Sequence, residues 1–229
     1  MTLIAFIPAR GASKGIPNKN LKDFKGKPLI QWTIEQAFKS SYVDRVIVST
    51  DNEGIAKISK KLGAEVPFLR PDFLATDTSP IIETVIYTLD RMEEVNDIIL
   101  MQPTSPLRRV SDIDNIIRLR RETGTTSAVS VKEVSEYPEW MFRKKKDTLF
   151  NYISSQKTNK RRQDLEKLYI LNGSLYLSTR KNLYKNLSFI SNETTPYVMK
   201  KEFSIDIDNE LDWEYAEFIY DKFNNGKDK

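Results

Sequence analysis

Thr2-Leu3-Ile4-Ala5-Phe6-Ile7-Pro8-Ala9-Arg10-Gly11-Ala12-Ser13-Lys14-Gly15-Ile16-Pro17-Asn18-Lys19-Asn20 carries an apolar run straight into a basic, glycine-containing loop. The run is far shorter than the ~20 residues of a membrane span. It has no basic leader, so it reads as a first buried strand and not as a signal peptide. Working outward, similar short runs recur at Arg45 to Ser49, Glu65 to Leu69, Asp97 to Met101, Ser127 to Val131, Gly173 to Thr179 and Phe203 to Asp208.

Amphipathic stretches separate them. In Pro28 to Ser40, the residues Leu29, Ile30, Thr33, Ile34, Ala37 and Phe38 follow the i, i+3, i+4 spacing of a helix with one buried face. Asn52 to Leu62, Ser79 to Met92, Ser111 to Glu122 and Asn209 to Phe223 show related patterns. Strand and helix in alternation predict an α/β fold with a mainly parallel central sheet covered on both faces, where ligands bind beyond the carboxyl ends of the strands. The pattern fails from Lys132 to Lys167, which is charged and aperiodic and reads as an insertion or an oligomer-forming arm.

Composition narrows the chemistry. The 229 residues include no cysteine and no histidine, so disulfides, thiolate nucleophiles, cysteine-ligated zinc and imidazole bases are all absent. Reaction must rest on Lys, Arg, carboxylates, amides or a hard cation. A net charge of +4 suits a small anionic substrate and gives no argument for nucleic acid; no apolar run suggests a membrane, and a cytoplasmic location is expected. The densest basic stretch, Arg143 to Lys146, reads as a solvated loop.

The loop after the first strand is the clearest chemical signal. Gly11 and Gly15 allow a tight turn with exposed N–H groups, while Arg10, Lys14 and Lys19 set three cations around one concavity, an arrangement suited to a triphosphate. It lacks the Gly-Lys-Ser/Thr ending of a Walker A loop and the spacing of a dinucleotide fingerprint. By composition alone an ordinary surface loop fits equally well. The whole string, however, resembles the nucleotide-binding signature of the acylneuraminate cytidylyltransferases, the CMP-sialic acid synthetases and their legionaminic and pseudaminic acid relatives.

That resemblance implies roles by position. Arg10 and Lys14 would take the β and γ phosphates with help from Ser13, Lys19 would lie near the α phosphate, and Asn20 would hold the ribose or base. Leu69-Arg70-Pro71 and Ala75 to Ser79 are similar to the family's second nucleotide segment, implying cytidine contacts for Arg70 and Ser79; Ser79 also reads as a helix N-cap. Gln102-Pro103-Thr104-Ser105-Pro106-Leu107-Arg108 resembles a family turn in which Gln102 would reach the sugar. Related Kdo-activating enzymes carry an aspartate near this position, so its absence argues against that substrate.

Asn159 to Asp164 resembles a motif whose second arginine, here Arg162, is implied to be catalytic or to grip the sugar carboxylate, as a guanidinium fork does well. Without the resemblance it reads as a surface arginine. Asn172-Gly173-Ser174-Leu175-Tyr176 looks like the family's Asn-Gly-x-x-Tyr and implies that Asn172 and Tyr176 face the sugar. Ile170 stands where some bacterial members have arginine. Ser204-Ile205-Asp206-Ile207-Asp208, read as a strand, would present two carboxylates on one face, ~7 Å apart, enough for one hydrated Mg²⁺. Alone, such a pair is more often a strand end.

The motifs run from Ile4 to Glu217 in the family's order. They imply a three-layer α/β/α fold of the nucleotide-sugar transferase type over 1–229, with 132–167 as a dimerisation insert, a homodimer, and Lys14, Lys19 and Arg162 as catalytic groups. The implied reaction couples CMP from CTP to a sialic-acid-like nonulosonic acid with Mg²⁺. Legionaminic, pseudaminic or Kdo-type acids are the alternative substrates, and a non-catalytic nucleotide-binding homologue is a different class of reading.

Overall fold

The computed structural model describes residues 2–13, 15–153 and 161–224. In chain order the elements are β1 (Thr2–Pro8), β2 (Asp23–Phe24), β3 (Lys27–Pro28), α1 (Leu29–Phe38), β4 (Arg45–Ser49), α2 (Glu53–Lys61), α3 (Ile81–Leu89), β5 (Val95–Met101), α4 (Val110–Thr123) and β6 (Ser127–Glu133). They continue with β7 (Phe142–Lys145), β8 (Thr148–Asn151), β9 (Tyr169–Thr179), α5 (Arg180–Asn186), β10 (Thr194–Val198) and α6 (Glu210–Asn224).

Six strands form the central sheet in the order β10-β6-β9-β5-β1-β4. All neighbours run parallel except β9, which lies antiparallel between β5 and β6. The mainly parallel sheet expected from the sequence is therefore present, with one reversed strand. Alternate residues divide between its faces, as the two-residue period of a strand requires. Leu3, Ala5 and Ile7 of β1 pack with Ile30 and Ile34 of α1, Ile55 of α2 and Ile113 and Ile116 of α4. Ile4 and Phe6 join Val85 and Leu89 of α3 and Leu183 of α5 on the other face. This is the α/β/α layering. A third cluster fastens α6 to the edge: Trp213, Ala216 and Ile219 pack with Ile16, Phe24 and Leu29, and Phe24 meets the Trp32 and Trp213 rings edge-on.

Two expected strands are corrected. Glu65 pairs with Ile47 in a single bridge, and the ladder stops there because Pro67 has no N–H to continue it. Residues 204–208 form no ladder at all; among the described bonds Ile207 N donates to Thr104 O at 2.8 Å and Ser204 N to Lys201 O at 3.1 Å, and Lys19 and Asp212 add side-chain bonds. The insert leaves from the end of β6 and returns into β9, its base closed where Val134 N donates to Leu168 O at 3.0 Å. Its β7–β8 hairpin is exposed on every residue, including Phe142, Leu149 and Phe150. No helix among the described residues is long and apolar enough to cross a membrane.

Candidate functional site

β1, β4 and β5 end along one edge of the sheet, and the loops that follow them build the site. The first loop is tied to β4 and its extension: Ala9 N donates to Ser49 O at 2.9 Å and Gly11 N donates to Asp51 Oδ1 at 2.9 Å. Asn20, 6% exposed, donates from Nδ2 to Arg10 O at 2.9 Å, closing the loop on itself. Gly15 is required by close approach: a Cβ there would lie 2.0 Å from the backbone oxygen of Asp208. The basic loop and the 204–208 segment are thus packed backbone to backbone.

Lys19 bridges the same two segments. Its ammonium donates to Ile207 O at 2.6 Å and stands 3.4 Å from Asp208 Oδ1. Asp206 and Asp208 do not lie on a paired strand, and they differ in exposure. Asp208 is largely exposed at the cavity, whereas Asp206 turns inward against Gly173, and its Oδ1 is buried without a hydrogen-bond partner. Burial pushes the Asp206 carboxyl up from its usual range; Thr104 draws it back, while Asp208 pushes it further up and Lys19 and Lys132 oppose this.

A cavity of about 420 Å³ opens at this edge. From the first loop Arg10, Ser13, Lys19 and Asn20 line it; Arg70 and Ser79 face it from the next loop, and Gln102 and Asp208 from beyond β5 and before α6. Arg70 is 6% exposed, with its guanidinium donating to Ser49 Oγ at 3.1 Å and to Ser49 O. Burial brings its pKa down to about 10, partly offset by Asp51. Ser79 is not the N-cap of α3, where Pro80 stands; its hydroxyl donates to Phe73 O at 2.7 Å and steadies the loop. A second cavity of about 280 Å³ adjoins the first, sharing Ile81 and Gln102. Its walls include Tyr176, Leu187, Phe189 and Ile190, so it offers an apolar chamber beside a polar one.

Two expected sugar contacts are not brought to these cavities. Asn172 is 3% exposed and committed internally: Oδ1 accepts from Ser130 Oγ at 2.6 Å and Nδ2 donates to Ser204 Oγ at 2.9 Å. It clamps β6, β9 and the 204–208 segment together. Arg162 is exposed in a short turn on the insert, with Nη2 reaching Val134 O at 3.5 Å. Lys14 lies outside the described residues, as do Asn159 and Lys160 of the Arg162 motif.

Sequence reading missed several groups. Asp77 pairs with Arg10 across the cavity rim, Asp51 anchors Gly11, and Thr104 lines the wall beside Asp206. Asp51 stands two residues after the β4 run, a position just past a strand end that could have marked it. Arg108 is wholly buried behind Gln102. The described residues hold no cluster of three or more acidic ligands, so a cation here would be of the kind held by one or two carboxylates together with substrate oxygens. The orphaned Oδ1 of Asp206 and the exposed Asp208 carboxylate fit a magnesium ion in that way.

Comparison with known proteins gives consistent results. The cytidylyltransferase family profile matches residues 4–224. CMP-N,N'-diacetyllegionaminic acid synthase of Legionella pneumophila is 39% identical over 228 residues, covering 95% of each chain. N-acylneuraminate cytidylyltransferase of Streptococcus agalactiae is 34% identical over 217 residues, which is 93% of this chain and 52% of that one. The chain therefore spans about half the length of that streptococcal relative. Among solved structures, a CMP:2-keto-3-deoxy-manno-octonic acid synthetase complexed with CTP matches with a TM-score of 0.72 at 17% identity, covering 97% of this chain and 99% of that one. A cytidylyltransferase from Leptospira borgpetersenii matches with a TM-score of 0.61 at 16% identity, covering 99% and 96%. At these identities the structures speak to the fold.

Proposed function

The chain belongs to the cytidylyltransferase family, and from that membership we propose that its paired cavities bind CTP and an acidic nonulosonic sugar, transfer CMP to the sugar and release pyrophosphate. The observation that carries this reading is the joining of a cationic chamber, lined by Arg10, Lys19 and Arg70, to an apolar one through Gln102. The cations neutralise a triphosphate, while the second chamber accepts the N-acyl and carbon-chain parts of a sugar acid.

In the reaction the sugar's anomeric oxygen bonds to the α phosphorus as the bond from that phosphorus to the bridging α–β oxygen breaks. Arg10 and Lys19, with Ser13, offset charge on the departing pyrophosphate, and Lys14 adds to this in our reading. Asn20, Arg70 and Ser79 hold the nucleoside, and Gln102 and Tyr176 orient the sugar. Without histidine, the hydroxyl proton passes to water or to Asp208. Asp206 and Asp208 would hold Mg²⁺, which supplies charge neutralisation to the triphosphate when bound.

Colorimetric pyrophosphate release tests the reading, using CTP with a panel of N-acetylneuraminic, N,N'-diacetyllegionaminic, pseudaminic and Kdo acids. A nonulosonic acid is expected to exceed Kdo by at least about a hundredfold in kcat/KM, since a misfitted sugar loses orientation at the reacting centre. Release with none of the nonulosonic acids rejects it. The mutual coverage with the Legionella enzyme favours the legionaminic acid within that panel.

The insert supports a homodimer. Its hairpin exposes Met141, Phe142, Leu149, Phe150 and Tyr152, more apolar surface than a solvated arm needs. Pairing through it gives Arg162 a route to a neighbouring subunit's sugar carboxylate. Sedimentation velocity is expected to return twice the chain mass at micromolar concentration; a monomer there removes this assignment.

A further inference from the structure

Arg108 is 1% exposed, and no other wholly buried side chain in the described core is as large. Its guanidinium touches three separate elements. Nη1 donates to Ser174 O at 2.8 Å, and more weakly to Ser174 Oγ and Gln102 O, each at 3.4 Å; Nη2 donates to Thr33 Oγ1 at 3.0 Å. Nε has no partner, and none of the acceptors is a carboxylate. Burial holds its pKa down to about 9, opposed only at a distance by Asp112 and Asp206. A cation sealed in the interior without a paired anion is costly, and a neutral side chain would join these segments without that cost.

What the fork fastens gives a reason for a cation at this place. Gln102 is the residue common to both cavities, and Ser174 follows Gly173, where φ is +75°. The space a Gly173 Cβ would fill is bounded by Asp206 Oδ2 at 2.5 Å and by Gln102 Oε1 at 3.4 Å. Arg108 therefore holds the backbone of Gln102 and of Ser174, on either side of the space beside Gly173 that Gln102 Oε1 and the Asp206 carboxylate both border. One nitrogen, Nη1, bridges the two carbonyls while Nη2, anchored on Thr33 Oγ1, fixes the plane of the guanidinium, an orientation that a flexible ammonium does not hold.

We propose that Arg108 is a positioning residue for sugar binding, its guanidinium locking Gln102 and the Gly173–Ser174 turn so that the Gln102 amide is aimed at the junction of the two chambers. This rests on the reading of those chambers as CTP and sugar sites. It does not touch the nucleotide side, where the first loop and Arg70 are held by other bonds.

The test uses the full-length protein with CTP and whichever nonulosonic acid the wild type turns over. Arg108→Lys is expected to raise the sugar KM by about ten- to a hundredfold, as misplacement of an orienting group does, while the Kd for CTP measured calorimetrically without sugar stays within about threefold. In a Gln102→Ala background the same substitution should add less than about threefold, because both changes remove one function. Thr33→Val keeps shape, lies outside both cavities and withdraws one acceptor; it should move the sugar KM in the same direction by a smaller factor, and it serves if Arg108→Lys does not fold. Equal losses for CTP and sugar, multiplicative losses in the double variant, or an unchanged sugar KM in either folded single variant overturn the proposal. Lack of wild-type turnover with every nonulosonic acid instead rejects the functional reading on which it rests.

Discussion

Replacing Lys19 by methionine is expected to lower kcat/KM for CTP by about a hundred- to a thousandfold, the loss seen when one preorganised donor to a developing anion is removed. The side chain is mostly buried along its stem and presents only its ammonium to the cavity, where it donates to Ile207 O at 2.6 Å and faces Asp208. Methionine fills the same stem volume, so packing around Ile16 and Ile207 should persist. Loss of the bond to Ile207 O costs about 1.5–3 kcal/mol of stability, as a hydrogen bond to a charged group does. A modest shift of Tm beside a large loss of turnover separates the electrostatic role from a structural one. Steady-state kinetics with thermal unfolding on the same preparation decide it; near-normal turnover in the folded variant would remove charge neutralisation by this loop as the basis of function.

The sequence made the site legible where function depends on local strings at strand ends. Arg10, Ser13, Lys19 and Asn20 come from one continuous loop, and Arg70, Ser79, Gln102 and Asp208 from short segments that the sheet brings to the same edge. The buried strands were readable because β1, β4 and β5 are covered on both faces and so nearly continuously apolar. β10 escaped because Pro196 interrupts its pattern, yet an edge strand tolerates proline on its unpaired side. α5 has seven residues, too few to display a helical period against its polar composition.

What stayed hidden was set by distant partners. Arg108 stands 66 positions from Ser174 and 75 from Thr33, so nothing local distinguishes it from the exposed Arg109 beside it. Asn172 looked like a ligand-facing amide, but Ser130 and Ser204, 42 and 32 positions away, use up its oxygen and nitrogen. The 204–208 segment looked like a strand because Ile205 and Ile207 alternate with polar residues. That alternation is real, but its apolar side packs on α6 and the first loop through Ile16 and Trp213, and no neighbouring strand is paired with it.

Asp206→Asn is expected to abolish turnover, by at least about a thousandfold, and at the same time to raise Tm. The two effects come from one feature. The carboxyl is driven above its ordinary pKa of 3.8 first by burial, against opposition from Thr104, Lys19 and Lys132, and Oδ1 is left without a partner. An acid with a raised pKa binds its proton more tightly folded than unfolded. Stability should therefore fall as pH rises from about 4 through the folded pKa, because the native state must then carry a buried charge. Asparagine keeps the shape and never ionises, so the variant should lose that pH-dependent decrement and unfold at higher temperature than the wild type at neutral pH. In the proposed reaction Asp206 acts as the charged carboxylate that folding disfavours, the usual trade between a poised site and stability. Thermal unfolding between pH 4 and 8, with kinetics at pH 8, gives both readouts. A variant that is less stable than wild type at neutral pH would contradict the assignment of Asp206 as a strained, solvent-poor carboxylate, and one that retains turnover would remove it from the reaction.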